Sequence, residues 1–278
     1  MRWLTVVALI SLTVGARADG IAWHESFPAA LTAAQVSGKP LLTLFVGEGC
    51  GPCDELQTIT LVDPEVIGAA AGFEAVIVNT FTERPLATHF LVSTVPTVKF
   101  LHVDGTVVFD NTGFASPEQF VGVLAHGLAA HQALLRARKA AAEADDGLAA
   151  EAALAIARDF AFAWQHSEAA QWAERALDTA PEDAIALRAE ALLIRGRALI
   201  EVGEPHLAAD ALTEHLRLAP DNPDLWAARL ALGKAWLQAG ETEAGTELLK
   251  AVYAAPEAGE DAHAEAKRLL FWAGVDVE

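Results

Sequence analysis

The sequence predicts an α/β domain followed by an all-α domain of helical repeats. The first observation is an uninterrupted apolar run, Leu41–Val46, set among alternating strand and helix patterns, as in a parallel strand buried on both faces. The second is a change to alanine- and leucine-rich helical sequence after the acidic, glycine-bearing segment Glu143–Gly147. The third is an internal repeat within that helical region. A chain of 278 residues is long enough to bury two cores.

Local patterns predict the elements of the first domain in order. Helices are expected at Ser26–Gly38, Gly51–Leu61 and Pro85–Val92, and strands at Pro40–Val46, Phe73–Phe81, Thr97–Val103 and Thr106–Asp110. Asp63-Pro64 predicts another helix start, with Asp as N-cap and proline at the first helical position. Asp104-Gly105 predicts a hairpin turn. A capping box at Ser116-Pro117-Glu118-Gln119 opens the last helix, which we expect to continue through Arg136–Lys139.

The second domain repeats at a nearly constant period. Pro181, Pro220 and Pro256 lie 39 and 36 residues apart, and each follows an alanine. Twelve residues before each proline stands another alanine, namely Ala169, Ala208 and Ala244. Small residues at a fixed phase let paired helices approach closely, and a proline stops the second helix. We expect about three repeats from Leu148 to Pro256 and a capping helix at Glu260–Trp272.

The two cysteines of the chain, Cys50 and Cys53, enclose Gly51 and Pro52 directly after the apolar run. Two intervening residues let both sulfurs meet in one turn, and a following helix would aim its N-terminal amides at Cys50. These amides and the helix dipole favour the thiolate, which is the attacking species. Cys53 can then resolve the mixed disulfide that Cys50 forms. The pattern therefore predicts a redox-active dithiol.

Three other interpretations of the cysteine pair compete. A structural zinc site needs about four ligands, but there is no third cysteine and the nearest histidines, His24 and His89, are distant in sequence, so we expect no metal. An inert disulfide across two residues would close almost no loop and stabilise little. Two unrelated buried thiols stay open as an alternative, although the strand-before, helix-after context favours redox chemistry. No cofactor beyond the redox-active disulfide itself is expected.

Residues from about Ser26 to Leu128 resemble a thioredoxin domain. Cys50-Gly51-Pro52-Cys53 is similar to the active-site tetrapeptide of that family, and Thr94-Val95-Pro96-Thr97 is similar to the loop whose proline is cis and faces the cysteines. Thr60–Val66 resembles the branch that includes the C-terminal domain of the periplasmic electron transporter. The resemblance implies a catalytic pair, an active-site loop and a substrate-binding segment in which the backbone of Val95 pairs with the incoming peptide. The catalytic pair is Cys50 and Cys53. The active-site loop consists of Gly49, Gly51 and Pro52, and the substrate-binding segment of Val95, Pro96 and Thr97.

The chain departs from the thioredoxin pattern beside the cysteines. Gly49 stands where the family has tryptophan, Leu44 where it has a buried aspartate, and Ile77 aligns with the lysine that partners that aspartate. Losing both charges is coherent, because one buried charge without the other costs several kcal/mol. The usual proton acceptor for Cys53 is then missing. One alternative is that Glu48 replaces this proton acceptor by acting through a water molecule. The simpler interpretation is that Glu48 is a solvated surface carboxylate.

Acidic residues surround the cysteine pair in the sequence. Glu48, Asp54 and Glu55 oppose the helix dipole and make the Cys50 thiolate less favourable than in a neutral setting. A less stabilised thiolate means a more stable disulfide. We therefore expect a reductant rather than a strong oxidant.

The first 18 residues read as a secretory signal peptide. Arg2 precedes the uncharged run Trp3–Val14, and Ala16-Arg17-Ala18 supplies small residues before a cut at Asp19. The run of 12 is shorter than the roughly 20 apolar residues of a membrane anchor, and Asp19 is not the cysteine of a lipoprotein. We expect a thioredoxin-like domain at 19–142 and a repeat domain at 148–278. We also expect export to the periplasm, where disulfides persist.

The charge of the chain excludes several partners. A formal net charge of −19 repels phosphate backbones and anionic lipid, so nucleic acid and electrostatic membrane binding are not expected. No segment after the signal peptide is expected to span a membrane. The expected partners are proteins with reactive thiols or disulfides and an electron-donating redox partner.

Two functions from different classes follow from the sequence. The helical region resembles the tetratricopeptide repeat, with Gly196 and Gly233 at the glycine position of its first helix. In the first hypothesis, an exported thiol:disulfide oxidoreductase holds a client or partner on these repeats. In the second, a chaperone-like or scaffold binding protein carries a thioredoxin domain with little redox activity, and its domain order resembles a cytoplasmic family of thioredoxin-repeat chaperones. An alanine-rich bundle without a ligand is the alternative for the repeats.

Overall fold

A computed structural model describes residues 20–276, so the predicted signal peptide at 1–18 lies outside the described residues. Its strands form one sheet in the order β1-β3-β2-β4-β5, in which β1 and β2 both run parallel to β3. The strands are β1 (Trp23–His24), β2 (Leu41–Val46), β3 (Glu74–Asn79), β4 (Thr97–Leu101) and β5 (Val107–Thr112). Within residues 20–276, no helix is both long and apolar enough to cross a membrane.

Helices alternate with the strands and then continue alone to the end of the described chain. Those among the strands and directly after them are α1 (Phe27–Ser37), α2 (Gly51–Glu55), α3 (Pro64–Ala70), α4 (Arg84–His89) and α5 (Pro117–Glu143). The later ones are α6 (Ala150–Phe162), α7 (His166–Thr179), α8 (Ile185–Val202), α9 (Pro205–Leu218), α10 (Leu225–Gln238), α11 (Thr242–Ala254) and α12 (Glu260–Trp272). The predicted fold class, an α/β sheet domain followed by helices, is confirmed.

The chain divides into two compact units. The first contains the residues up to Val98 together with Thr112–Leu124, and the second contains Lys99–Asn111 together with the residues from Ala125 onwards. Residues within each unit pack mainly against other residues of the same unit. The domain bounds expected from the sequence, 19–142 and 148–278, stay a prediction.

In the first unit, capping side chains set the helix ends where the sequence predicted them. The Ser26 hydroxyl accepts a hydrogen bond from the Ala29 amide at 3.4 Å, and the Asp63 carboxylate accepts one from the Glu65 amide at 2.8 Å. The capping box forms in both directions: the Gln119 amide donates to the Ser116 hydroxyl at 3.4 Å, and the Ser116 amide donates to the Gln119 side chain at 2.9 Å. These bonds satisfy amides that have no partner inside the helix.

Strand β2 is the centre of the first unit. All six of its residues are buried, and its register places Leu41 beside Glu74 and Val46 beside Asn79 of β3. The short strand β1 was not predicted. It pairs with the other edge of β3, and the His24 ring lies 2.7 Å from the Glu74 carboxylate. That hydrogen bond lowers the pKa of Glu74 below its usual value.

In the second unit, α5 approaches the strand hairpin closely at Gly127. A Cβ on Gly127 would lie 2.4 Å from the Phe100 ring, so only glycine fits there. Two buried histidines meet nearby: the His131 Nε2 and His102 Nδ1 atoms are 2.9 Å apart. Burial lowers the pKa of His131 to about 4 and also lowers the pKa of His102. The hairpin turn itself closes as predicted, since the His102 amide donates to the Thr106 carbonyl at 2.8 Å.

Trp164 lies in the turn after α6. Its φ of 57° is left-handed, the region that usually takes glycine at the end of a helix. Its ring packs edge-on against Phe109 with centroids 5.4 Å apart. The next residue, Gln165, donates from its side chain to the Val107 carbonyl at 3.0 Å. The contact with Phe109 therefore favours tryptophan at a helix end where backbone conformation alone would favour glycine.

Along the rest of the second unit, each helix from α6 to α12 packs against the next one. Helices α7, α9 and α11 each end two residues before Pro181, Pro220 and Pro256, as the repeat predicted. Two of these helix pairs approach closely where a glycine faces a leucine. A Cβ on Gly196 would lie 2.5 Å from Leu212 Cγ, and one on Gly233 would lie 2.7 Å from Leu249 Cγ. The two contacts are equivalent, because both partners are shifted by 37 residues.

The register of the third repeat differs from the predicted one by one residue. The carbonyl of Ala208 faces Gly196, and the equivalent carbonyl facing Gly233 belongs to Gly245 and not to Ala244. The segment from this contact to the terminating proline is one residue shorter in the third repeat, so counting back from Pro256 misses it. Helix contacts, and not the proline, therefore define the phase of the repeat.

The glycine–leucine contact predicts the effect of adding one methyl group. Gly196→Ala should lower the free energy of unfolding by about 2 kcal/mol, because an overpacked core costs roughly 1–3 kcal/mol. Gly122→Ala is the matched control: this helical glycine has nothing within 4 Å of an added Cβ, so alanine should stabilise by about 0.5–1 kcal/mol. Urea unfolding measures both. Gly196→Ala combined with Leu212→Ala should cost less than the sum of the single changes, and strict additivity would contradict the contact.

Two buried threonines predict opposite effects of the same substitution. The Thr43 hydroxyl has no hydrogen-bond partner among the described residues, whereas the equally buried Thr60 hydroxyl donates to the Ala115 carbonyl at 2.7 Å. Thr43→Val should therefore raise the free energy of unfolding by about 1 kcal/mol, and Thr60→Val should lower it by about 1–2 kcal/mol. Thermal unfolding of both variants measures this contrast, and equal shifts would contradict it.

Candidate functional site

A disulfide between Cys50 and Cys53 stands at the carboxyl end of β2. Cys50 is half-buried at the surface, whereas Cys53 is 1% exposed and lies below it in the first turn of α2. An incoming sulfur can therefore approach Cys50 but not Cys53. The geometry separates an accessible sulfur from a shielded one.

The start of α2 directs backbone amides at Cys50. Cys50 is the N-cap, and its sulfur accepts a hydrogen bond from the Cys53 amide at 3.2 Å. The Asp54 amide donates to the Cys50 carbonyl at 3.1 Å, which closes the first helical turn. After reduction, the same amide and the helix N-terminus would stabilise negative charge on the Cys50 sulfur.

The predicted substrate-binding loop faces the disulfide. The Val95–Pro96 peptide bond is cis, and the Val95 carbonyl oxygen lies 3.7 Å from the Cys50 sulfur. Val95 is half-buried. Pro96 and Thr97 are buried, and the Thr97 hydroxyl donates to the Thr94 carbonyl at 2.7 Å. Of the three predicted residues, Val95 is the only one that is not buried, and the hydrogen bond of Thr97 stays within the loop.

The predicted active-site loop residues surround the cysteines. Gly49, Gly51 and Pro52 are all exposed next to Cys50. Gly49 has a φ of 66°, a left-handed conformation in which a side chain is strained. Glycine at this position, where the family has tryptophan, therefore allows the chain to turn from β2 into α2.

In the sheet, the two apolar replacements lie side by side. Leu44 of β2 and Ile77 of β3 are partners in the register, and Leu44 is 1% exposed. Neither side chain can accept a proton. The nearest carboxylates in the sequence, those of Glu48, Asp54 and Glu55, belong to exposed residues. They give the surface at Cys50 a negative charge and offer no buried base.

Three features of the site were missed by sequence reasoning. The predicted helix Gly51–Leu61 is α-helical only to Glu55 and continues as a π-helix over Leu56–Thr60. The Gln57 side-chain amide donates to the Cys53 carbonyl at 3.2 Å. Phe81, in the loop after β3, is 55% exposed close to Val95. π-Helical turns often occur at functional sites, but no local residue pattern signals one.

Residues 27–128 match the family model of a thioredoxin-like domain. No curated protein matches the chain. A thioredoxin from Thermus thermophilus is 25% identical, with a TM-score of 0.39 over 41% of this chain and 92% of its own. A DsbH oxidoreductase is 19% identical, with a TM-score of 0.37 over 46% of this chain and 94% of its own. The oxidised C-terminal domain of DsbD from Neisseria meningitidis is 22% identical, with a TM-score of 0.34 over 36% of this chain and 90% of its own.

The match agrees with the resemblance inferred from the sequence. The chain contains a thioredoxin-like domain with a CxxC disulfide, followed by a large helical region.

Restoring the missing charges tests the role of the apolar pair. Leu44→Asp combined with Ile77→Lys should speed the release of a mixed disulfide by roughly tenfold or more, because a buried carboxylate can then act as general base for Cys53. Leu44→Asp alone should lower the free energy of unfolding by several kcal/mol, because Leu44 is 1% exposed and the new charge would be buried without a partner, whereas Ile77→Lys alone should cost less, because Ile77 is only half-buried. Stopped-flow kinetics and urea unfolding measure these effects. Unchanged kinetics in a folded double variant would mean that another group already serves as the base.

Proposed function

We propose that this protein is an exported thiol:disulfide oxidoreductase that reduces disulfides in client proteins. The observation that carries the proposal is the disulfide itself: an accessible Cys50 bonded to a shielded Cys53, below the Val95 carbonyl and at the end of a buried strand. An inert disulfide has no need of an exposed sulfur capped by a helix amide. The thioredoxin-like family match over residues 27–128 supports the same chemistry.

The reaction runs in two exchanges. A dithiol donor first reduces the Cys50–Cys53 bond, giving two thiols in this protein and a disulfide in the donor. The Cys50 thiolate then attacks one sulfur of a client disulfide, forms a mixed disulfide and expels the other client sulfur as a thiolate. Cys53 loses its proton, attacks the Cys50 sulfur and releases the second client thiol. The protein returns to its disulfide form, and the client has gained two electrons and two protons.

The direction of electron flow follows from charge. Glu48, Asp54 and Glu55 are exposed around Cys50 and oppose the helix N-terminus that stabilises its thiolate. A less stable thiolate favours the disulfide form of this protein and makes its dithiol a better electron donor. This supports a reductant over an oxidant.

Export and partner binding complete the proposal. Arg2, the run Trp3–Val14 and the small residues before Asp19 support cleavage of a signal peptide and a periplasmic location. The glycine–leucine contacts of α8 with α9 and of α10 with α11 support a tetratricopeptide-like repeat, whose extended surface would hold a client or the electron donor.

One observation favours a second candidate function. Leu44 and Ile77 remove the buried base that assists Cys53, which would leave the redox step slow. A chaperone-like or scaffold protein, with the repeats as its binding surface, would tolerate that loss. A redox assay distinguishes the two candidates, because the second predicts little turnover of protein disulfides.

Serine variants test the assignment of the two cysteines. Cys53→Ser should accumulate mixed disulfides with client proteins, because Cys50 can still attack and nothing resolves the product. Cys50→Ser is the matched control and should trap none, because Cys53 is buried. Non-reducing electrophoresis measures trapping, and reduction of insulin with dithiothreitol as donor measures turnover of the unmodified chain. Equal trapping by both variants, or by neither, would contradict the assignment.

A further inference from the structure

We propose that Phe81, together with the acidic residues Asp54 and Glu55, selects client cysteines that lie in an extended segment beside an apolar and a basic residue. This inference rests on the proposed function and names the class of client that the same site takes. Phe81 supplies an apolar contact on one side of Cys50, and the two carboxylates supply the charge.

Phe81 belongs to the same surface as the disulfide. A Cβ on Gly47 would lie 3.1 Å from Val95 Cγ2 and 3.7 Å from Phe81 Cε2, so the Val95 and Phe81 side chains both lie over Gly47. Val95 in turn reaches the Cys50 sulfur through its carbonyl at 3.7 Å. Cys50, Val95 and Phe81 therefore form one continuous patch.

The loop that carries Phe81 is held in place. The Thr80 amide donates to the Val46 carbonyl at 2.9 Å, which ties the loop to the end of β2. The Phe81 amide donates to the Asn79 side chain at 2.9 Å. Phe81 is nevertheless 55% exposed, although an aromatic ring gains most from burial. The backbone of this loop is thus held by hydrogen bonds while the Phe81 ring stays largely exposed to solvent.

The chemistry of the redox step decides what covers this patch. A client sulfur must come within bonding distance of the Cys50 sulfur, so the residues next to the client cysteine lie on the surface around Cys50, to which Val95 and Phe81 belong. An apolar neighbour would bury the exposed ring, and a polar one would not. Asp54 and Glu55 are exposed in the turn that begins at Cys50, which favours a basic residue in the same client segment and disfavours an acidic one.

Four peptides test the inference with the full-length protein. Each carries one cysteine as a mixed disulfide with 2-mercaptoethanol, has phenylalanine or serine beside it, and has lysine or glutamate two residues further on. The reduced protein converts each to a peptide thiol and 2-mercaptoethanol as Cys50 and Cys53 become a disulfide. We expect the phenylalanine peptides to react about fivefold faster than the serine peptides. Lysine should exceed glutamate by about threefold at low ionic strength and less at high salt.

Variants separate the two contributions. Phe81→Ser should bring the phenylalanine-to-serine ratio close to one and leave the lysine-to-glutamate ratio unchanged. Asp54→Asn with Glu55→Gln should do the reverse. Val36→Ser is the matched control, because Val36 is an exposed aliphatic residue on α1, at the end of β2 away from Cys50, and neither ratio should move.

The rate of reduction of the neutral disulfide of 2-mercaptoethanol measures thiol–disulfide exchange without any contribution from peptide binding. Every peptide rate is divided by the rate with this small disulfide, so a changed Cys50 thiolate does not mimic selectivity. If the unmodified protein reduces the small disulfide but shows no preference among the peptides, the inference about selection is wrong and the proposed function stands. If it reduces none of them, the proposed function itself fails. A preference that survives Phe81→Ser would likewise overturn the role of that ring.

Discussion

Burial of β2 on both faces is the constraint on which the first unit depends. All six residues of this strand are buried, so its backbone groups must be paired within the sheet. Parallel pairing with β3 fixes where the strand ends, and Cys50 follows four residues after Val46. The disulfide thus takes its position from a fully buried strand, while Val95 lies in the loop before β4 and Phe81 in the loop after β3.

Local chemistry explains why much of the fold could be predicted. Ser26, Asp63 and the Ser116–Gln119 pair each act within four residues of their own helix, so their effect is visible in the sequence. Strand β1 depends instead on β3, which lies some 50 residues further along the chain. The phase of the third repeat depends on the contact of Gly233 with Gly245. Neither contact leaves a local signal.

The candidate site divides in the same way. Cys50, Cys53 and the loop at Val95 could be found because their residue types and spacing carry the chemistry. That Thr97 is turned inwards to the Thr94 carbonyl could not be found, since a threonine after proline looks the same in either orientation. The position of Phe81 near the site could be found only in the three-dimensional structure, because 31 residues separate Phe81 from Cys50 in the sequence.

The buried contact between His102 and His131 gives the second unit a dependence on acidity. Burial keeps the pKa of His131 at about 4, so this ring is neutral in the folded chain at pH values where an exposed histidine is already charged. Between about pH 6.5 and pH 4 the unfolded chain binds more protons than the folded one, and the free energy of unfolding falls as the medium becomes more acidic. The lowered pKa of His102 acts in the same direction. The hairpin and the part of α5 around His131 would then be the parts of the second unit that loosen in acid.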